Sequence, residues 1–264
     1  MRDKNILGKG DTFKFGCHSG LKCFTDCCGD VNIILTPTDV LKLSRKLCIS
    51  TTEFLAKHTL TPITKDLHLP VPILKMNEED KRCPFLSPEG CGVYEDRPWA
   101  CRMYPLGMGI PPARAGEQPE PVYFLFEDDF CHGRHESTQW TVTQWLEDQG
   151  IVQRDALDAG FRGVVSHPWF IGGRQLDPKR IEMFHMAFYD LDRFHAFVFE
   201  SSFLERFDLD EDLVNNIREN DEALLEFAAQ WLRFALFAEP TLKVRKTADG
   251  QTSKNKNTDE NQKR

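Results

Sequence analysis

The sequence predicts a mainly α-helical protein with small β segments, in which an irregular cysteine-rich first part is followed by a helical bundle. Three observations carry that expectation. All nine cysteines and most of the fifteen prolines lie in residues 1–135. The stretch from 136 to 240 is cysteine-free, and its apolar residues recur every three or four positions. Residues 241–264 hold almost no apolar side chains and read as a disordered polar tail. The expected organisation is therefore 1–135, 136–240 and 241–264.

The elements follow in order. "VNIIL" (31–35) is a short, β-branched run that reads as a strand. "TPTD" starts a helix to about Leu47, with Thr36 as N-cap, Pro37 at the first helical position and Asp39 at the third. Ser50 and Glu53 repeat that logic for "TTEFLAKHT". "LPVPILKM" is interrupted by proline, which removes a donor and disfavours helix before it, so it reads as extended or irregular. "GVYE" (92–95) and "VYFLF" (122–126) read as strands around the loop "GMGIPPARAGEQPEP".

Beyond residue 135 the spacing predicts helices over 138–149, ending at Gly150, and over 152–165. Asp177 and Pro178 start a long helix to about Glu200, with Ile181, Phe184, Phe188, Leu191, Phe194 and Val198 on one face. Two more helices are expected at about 210–219 and 221–238. Phe194, Phe197, Phe227, Trp231 and Phe234 sit at the spacing a bundle core requires, so they read as packing rather than as a cofactor pocket.

With 264 residues, 41% of them hydrophobic, the chain can bury an ordinary core without covalent staples. The opening "MRDKNILGKG" has no apolar leader core, and no run of about 18 apolar residues occurs, so a cytoplasmic location is expected. There thiols stay reduced, and a dense cysteine pattern points to metal rather than to disulfides. The odd count of nine agrees. The formal net charge is −8, of which the stretch 241–264 contributes +4, leaving −12 on the body. An acidic body argues against nucleic acid or a membrane as partner.

Eight cysteines are candidate ligands: Cys17, Cys23, Cys27 and Cys28 in "FGCHSGLKCFTDCCGD", then Cys83, Cys91, Cys101 and Cys131, each among prolines or glycines that turn the chain. Soft thiolates suit zinc or the irons of an iron–sulfur cluster, of [4Fe–4S] type. Cys48 closes the helical pattern of Val40, Leu41 and Leu47, reads as a small core residue and is excluded. In an extended chain Cys27 and Cys28 would point apart. Either the backbone turns sharply there, with Gly29 able to help, or the pair serves two neighbouring metals, or one member does not ligate. Two four-ligand sites and one larger centre both remain open. His18, His132 and His135 lie beside cysteines as ligands or hydrogen-bond partners. Arg97 and Arg102 flank Cys101; they either tune the thiolates or pair with Glu95 and Asp96.

The doubled cysteine, the "LTPTDV" helix start, "CPFL", "GCGVYEDRPWACRMYPLG" and "CHG", in that order over residues 13–135, resemble the YkgJ family of cysteine-cluster proteins. The resemblance implies a zinc- or iron-chelating domain with Cys17, Cys23, Cys27, Cys28, Cys83, Cys91, Cys101 and Cys131 as metal positions. The five residues between Cys17 and Cys23 exceed the family's usual spacing. Three functions follow as expectations. The first is a redox or metal-handling protein with an iron–sulfur centre and a redox or protein partner. The second is a zinc-stapled interaction module. The third is an enzyme similar to flagellin lysine methylases, with Arg97, Arg102, Tyr104 and His132 as candidate polar groups.

Overall fold

The computed structural model of the protein describes residues 6–65, 67–109, 120–170 and 172–245. Most of the tail expected at 241–264, and residues 110–119 of the expected loop, lie outside them.

The protein is mainly helical with short strands. In chain order come β1 (Ile6–Leu7), β2 (Thr12–Lys14), α1 (Pro37–Lys46), α2 (Thr51–His58), β3 (Thr59–Leu60), β4 (Ile73–Leu74), β5 (Leu86–Ser87) and β6 (Gly90–Cys91). Then follow α3 (Trp99–Met103), β7 (Leu106–Gly109), β8 (Val122–Leu125), β9 (Gln139–Thr141), α4 (Val142–Asp148), α5 (Ile151–Leu157) and α6 (Ala159–Val165). The chain closes with α7 (Pro178–Phe188), α8 (Leu191–Phe199), α9 (Phe203–Arg206), α10 (Glu211–Glu219) and α11 (Asp221–Phe237). Antiparallel pairing gives one three-stranded sheet, β1-β8-β7, and the pairs β2-β9, β3-β4 and β5-β6.

The start of α1 forms as its residues dictate. Thr36 Oγ1 accepts from Asp39 N at 3.1 Å, and Asp39 Oδ2 accepts from Thr36 N at 3.0 Å, a reciprocal cap that satisfies two otherwise orphaned donors. A second carboxylate arrives from far along the chain: Asp158 Oδ1 accepts from Thr38 N (3.1 Å) and Thr38 Oγ1 (2.7 Å). An anion at a helix N-terminus completes the unpaired N–H groups there.

Several expected elements form differently. "VNIIL" is not a strand; only Ile34 bridges, to Ile73. "GVYE" becomes a 3₁₀ turn, Tyr94–Asp96, because Gly92 N returns to Phe85 O to close the β5-β6 hairpin and the chain then turns away. The start of the helix expected at 138–149 is β9, drawn into pairing with β2, and Thr141 caps α4 behind it. The run 152–165 breaks at Asp158 and the run 178–200 at Tyr189–Asp190. At each break an aspartate reaches across the molecule: Asp158 to Thr38, and Asp190 Oδ1 to Thr52 Oγ1 at 2.5 Å. Such side chains offer the backbone an alternative to continuing the helix.

Two hydrophobic cores result. The larger joins α1 and α2 to the later helices, with Val40, Leu43 and Phe54 buried among Phe184, Phe188, Phe194, Phe227 and Leu232. Trp231 lies 5.3 Å from Phe194 and 5.1 Å from Phe197, ring centre to ring centre, so the aromatic residues pack on one another as a core. The smaller core holds Phe13, Phe15, Met103, Leu106, Tyr123, Val142, Trp145 and Ile151. Both draw residues from either side of position 135. Arg45 Nε to Asp221 Oδ2 (2.7 Å) and Thr51 Oγ1 to Asp192 Oδ2 (2.7 Å) fasten α1 and α2 to the helical body. Among the described residues no helix is long and apolar enough to cross a membrane.

Candidate metal centre

The opening cysteines ride on a run of consecutive turns. Leu21 N bonds His18 O, Phe24 N bonds Leu21 O, Asp26 N bonds Cys23 O and Cys28 N bonds Thr25 O. The last of these leads through a 3₁₀ turn, Asp26–Cys28. With about three residues per turn, adjacent side chains there diverge by roughly a third of a circle. The backbone therefore does turn sharply at the pair, but Gly29 is extended (φ −119°) and contributes no special conformation. The left-handed residues are Thr25 (φ 72°) and Asp30 (φ 49°).

The second group is stitched onto that turn. Asp30 N bonds Lys81 O at 2.8 Å and Cys83 N bonds Cys28 O at 2.8 Å, while Arg82 Nη2 donates to Thr25 O (3.0 Å) and Oγ1 (3.1 Å). Leu86 N returns to Cys83 O and Cys91 pairs with Leu86 across the hairpin, which holds Cys83 and Cys91 together. Cys101 comes from the middle of α3, whose first N–H, on Trp99, donates to Asp39 Oδ1 at 2.9 Å. The cap of α1 thus also positions a cysteine helix.

Cys131 precedes a 3₁₀ turn, His132–His135, that lies against the start of the cysteine loop: Gly16 N bonds Gly133 O, and His132 N donates to Cys23 Sγ at 3.2 Å. Contact this close requires glycine, since a Cβ on Gly133 would stand 2.6 Å from Gly16 O and 2.8 Å from Phe15 Cε2. Gly133→Ala is therefore expected to push Cys131 away from Cys17 and Cys23. Metal content measured on the purified variant should fall while α-helical circular dichroism stays near wild type.

The electrostatics divide the thiols. Burial pushes Cys17 up to about 11, helped by Cys27, Cys131 and Cys23, while Arg97 pulls it down. Cys27 is raised first by its hydrogen bond to Cys28 and then by burial, and the same bond lowers Cys28. Cys28 feels Cys83, Cys101 and Cys91. Burial raises Cys83 and Cys101, and both also feel Cys91 and Cys27. Cys27 thus acts on members of both groups. Crowded, half-buried thiols remain protonated unless a cation neutralises them, and thiolate is the ligating form.

The structure brings all eight candidate cysteines into one region, and Cys48 stays apart. It is not a core residue, however: it is exposed, with a left-handed backbone (φ 55°) just past the end of α1. His18 Nδ1 accepts from Gly20 N (3.2 Å), and its Nε2 lies 3.6 Å from Glu136. Arg97 and Arg102 do not pair with Glu95 and Asp96. Arg97 stacks 3.8 Å over the Tyr94 ring and bonds Gln149 Oε1. Arg102 donates to the carbonyls of Arg97 (3.1 Å), Gln149 (2.9 Å) and Glu95. Tyr104 donates to Asp128 Oδ2 at 3.0 Å and lies against Cys131. Among the described residues no three His, Cys, Asp or Glu side chains are arranged to hold one metal ion. The donor set itself, eight thiols on turns stitched together by backbone hydrogen bonds, suits a soft metal.

A thiol-dense set of loops mounted on a helical body defines a cysteine-rich metal-binding protein. Residues 17–132 match the CxxCxxCC family, described as "Putative zinc- or iron-chelating domain". The match runs from Cys17 to one residue past Cys131, so all eight thiols fall inside it. Comparison with curated proteins and with solved structures returns no match.

Proposed function

We propose that the protein is a cytoplasmic iron–sulfur protein of the YkgJ kind, serving electron transfer, redox sensing or metal handling. Its ligands are two sets of four thiols, Cys17, Cys23, Cys27 and Cys131, and Cys28, Cys83, Cys91 and Cys101. The observation that supports this reading is that thiols from separate loops act on one another: Cys17 feels Cys23, Cys27 and Cys131, and Cys28 feels Cys83, Cys91 and Cys101. A single zinc ion needs four sulfurs about 3.8 Å apart, given Zn–S bonds of about 2.3 Å. Eight thiols are twice that number, so the donor count favours a polynuclear centre or centres. When bound, such a centre would supply one-electron chemistry. The chain's own part is to hold the thiolates, to offer the His132 N–H to Cys23 Sγ and to place the Arg97 cation near Cys17. Hydrogen bonds to sulfur and nearby positive charge favour the reduced, more negative state.

The test is purification without oxygen, with iron, zinc and acid-labile sulfide quantified beside the visible spectrum. A brown protein with matching iron and sulfide is expected. Colourless protein with stoichiometric zinc and no sulfide would overturn the iron–sulfur reading and leave the thiols as structural staples.

A further inference from the structure

Beside the thiols lies an open groove of about 470 Å³ that no cysteine lines. Leu7, Phe13 and Leu125 give it an apolar wall, and Lys14, Arg134 and His135 give it a basic one. We propose that this groove binds a small monocarboxylate carrying an apolar group.

Three observations point there. Arg134 lines the groove, and its Nε is buried without a hydrogen-bond partner among the described residues, so packing holds the stem and the Nη end is the part a groove ligand can meet. Asp129, the acid paired with its guanidinium, is 3.7 Å away and fully exposed, so it neutralises little of the charge. Neither Lys14 nor His135 has an ion-pair partner among the described residues, although both line the same wall. Arginine's planar fork matches a carboxylate through two parallel hydrogen bonds. Glu127 also lines the groove, and its charge disfavours a ligand with a second negative charge, which selects a monocarboxylate over phosphate. The apolar wall then takes the body of the ligand. Because the turn that carries Arg134 and His135 begins at Cys131, an occupied groove abuts the candidate metal centre.

The experiment is calorimetric titration of the full chain, as purified and with its metal content measured, using hexanoate, acetate, inorganic phosphate and hexylamine. Hexanoate should bind saturably, acetate and phosphate at least about tenfold more weakly, and hexylamine not at all. Arg134→Gln should weaken hexanoate by at least about tenfold. Lys14→Gln, on an exposed strand position where folding is not at risk, should weaken it several-fold. Absence of hexanoate binding, equal binding of phosphate or hexylamine, or wild-type affinity in both variants overturns the proposal. Groove binding and metal content are separate readouts, so loss of one leaves the other standing.

Discussion

Replacing Cys101 with serine is expected to empty the proposed set of Cys28, Cys83, Cys91 and Cys101 and to unfold the loops that carry it. Cys101 sits in the middle of α3, where burial is the main cause of its raised pKa. A serine hydroxyl keeps the volume but is not a soft anionic donor, so the metal loses a quarter of its ligand set. Structural metal sites contribute about 10 kcal/mol or more of folding free energy. The loops of residues 17–34 and 77–97 have only short strands and 3₁₀ turns of their own. Loss of that contribution should melt them while the larger core holds, giving a first unfolding transition well below the second. Metal analysis and thermal melts followed by circular dichroism read both effects. Cys48→Ser is the matched control; because that thiol is exposed and outside the group, it should change stability by no more than about 0.5 kcal/mol. Equal losses from Cys48→Ser and Cys101→Ser would sink the assignment of ligands.

What could be read without the structure was whatever depends on neighbours in the chain. "TPTD" encodes its cap within four residues, so α1 begins at Pro37 as expected. The α10 and α11 helices likewise carry their starts locally, in Asp210 and Asn220. The breaks at Asp158 and Tyr189–Asp190 were not legible, because each depends on a partner more than a hundred residues away, Thr38 or Thr52. In the site, cysteine density marked the eight thiols, and turn residues around them explained how loops could aim them. The spacing left open how the adjacent pair is oriented, because the sharp turn there comes from the 3₁₀ geometry of Asp26–Cys28. Cys48 leaves the core for a related reason: it lies two residues past the last residue of α1, at a position with left-handed backbone that helical periodicity does not reveal. Thr25 and Arg82, which stitch the two cysteine loops together, carried no recognisable signal.

Asp39→Ala should cost about 3–5 kcal/mol, more than an ordinary core substitution, because one carboxylate serves three elements. Its Oδ2 closes the cap of α1, and its Oδ1 accepts from Trp99 N at the start of α3 and from Arg154 Nη1 of α5 at 3.2 Å. Asp39 is fully buried and the Arg154 side chain is 9% exposed, so removing the acid strands a buried cation and two backbone donors. Since α3 carries Cys101, metal affinity should fall with stability, although no ligand has been touched. The pair also gives a pH signature. Burial is the main cause that raises the Asp39 carboxyl from 3.8 to about 7; Asp158 adds to the rise, and Thr36 N, Arg154 and Trp99 N oppose it. A carboxyl whose pKa is higher in the folded state binds protons more tightly there, so its contribution to stability is complete below about 3.8. That contribution is lost as the pH climbs to about 7. Asp39→Asn keeps an acceptor oxygen but cannot titrate. The stability of wild type relative to this variant should therefore decline between those two pH values, and denaturant midpoints across the range would show it. A flat difference would mean that the Arg154 guanidinium and the two N–H donors outweigh burial and keep Asp39 ionised throughout.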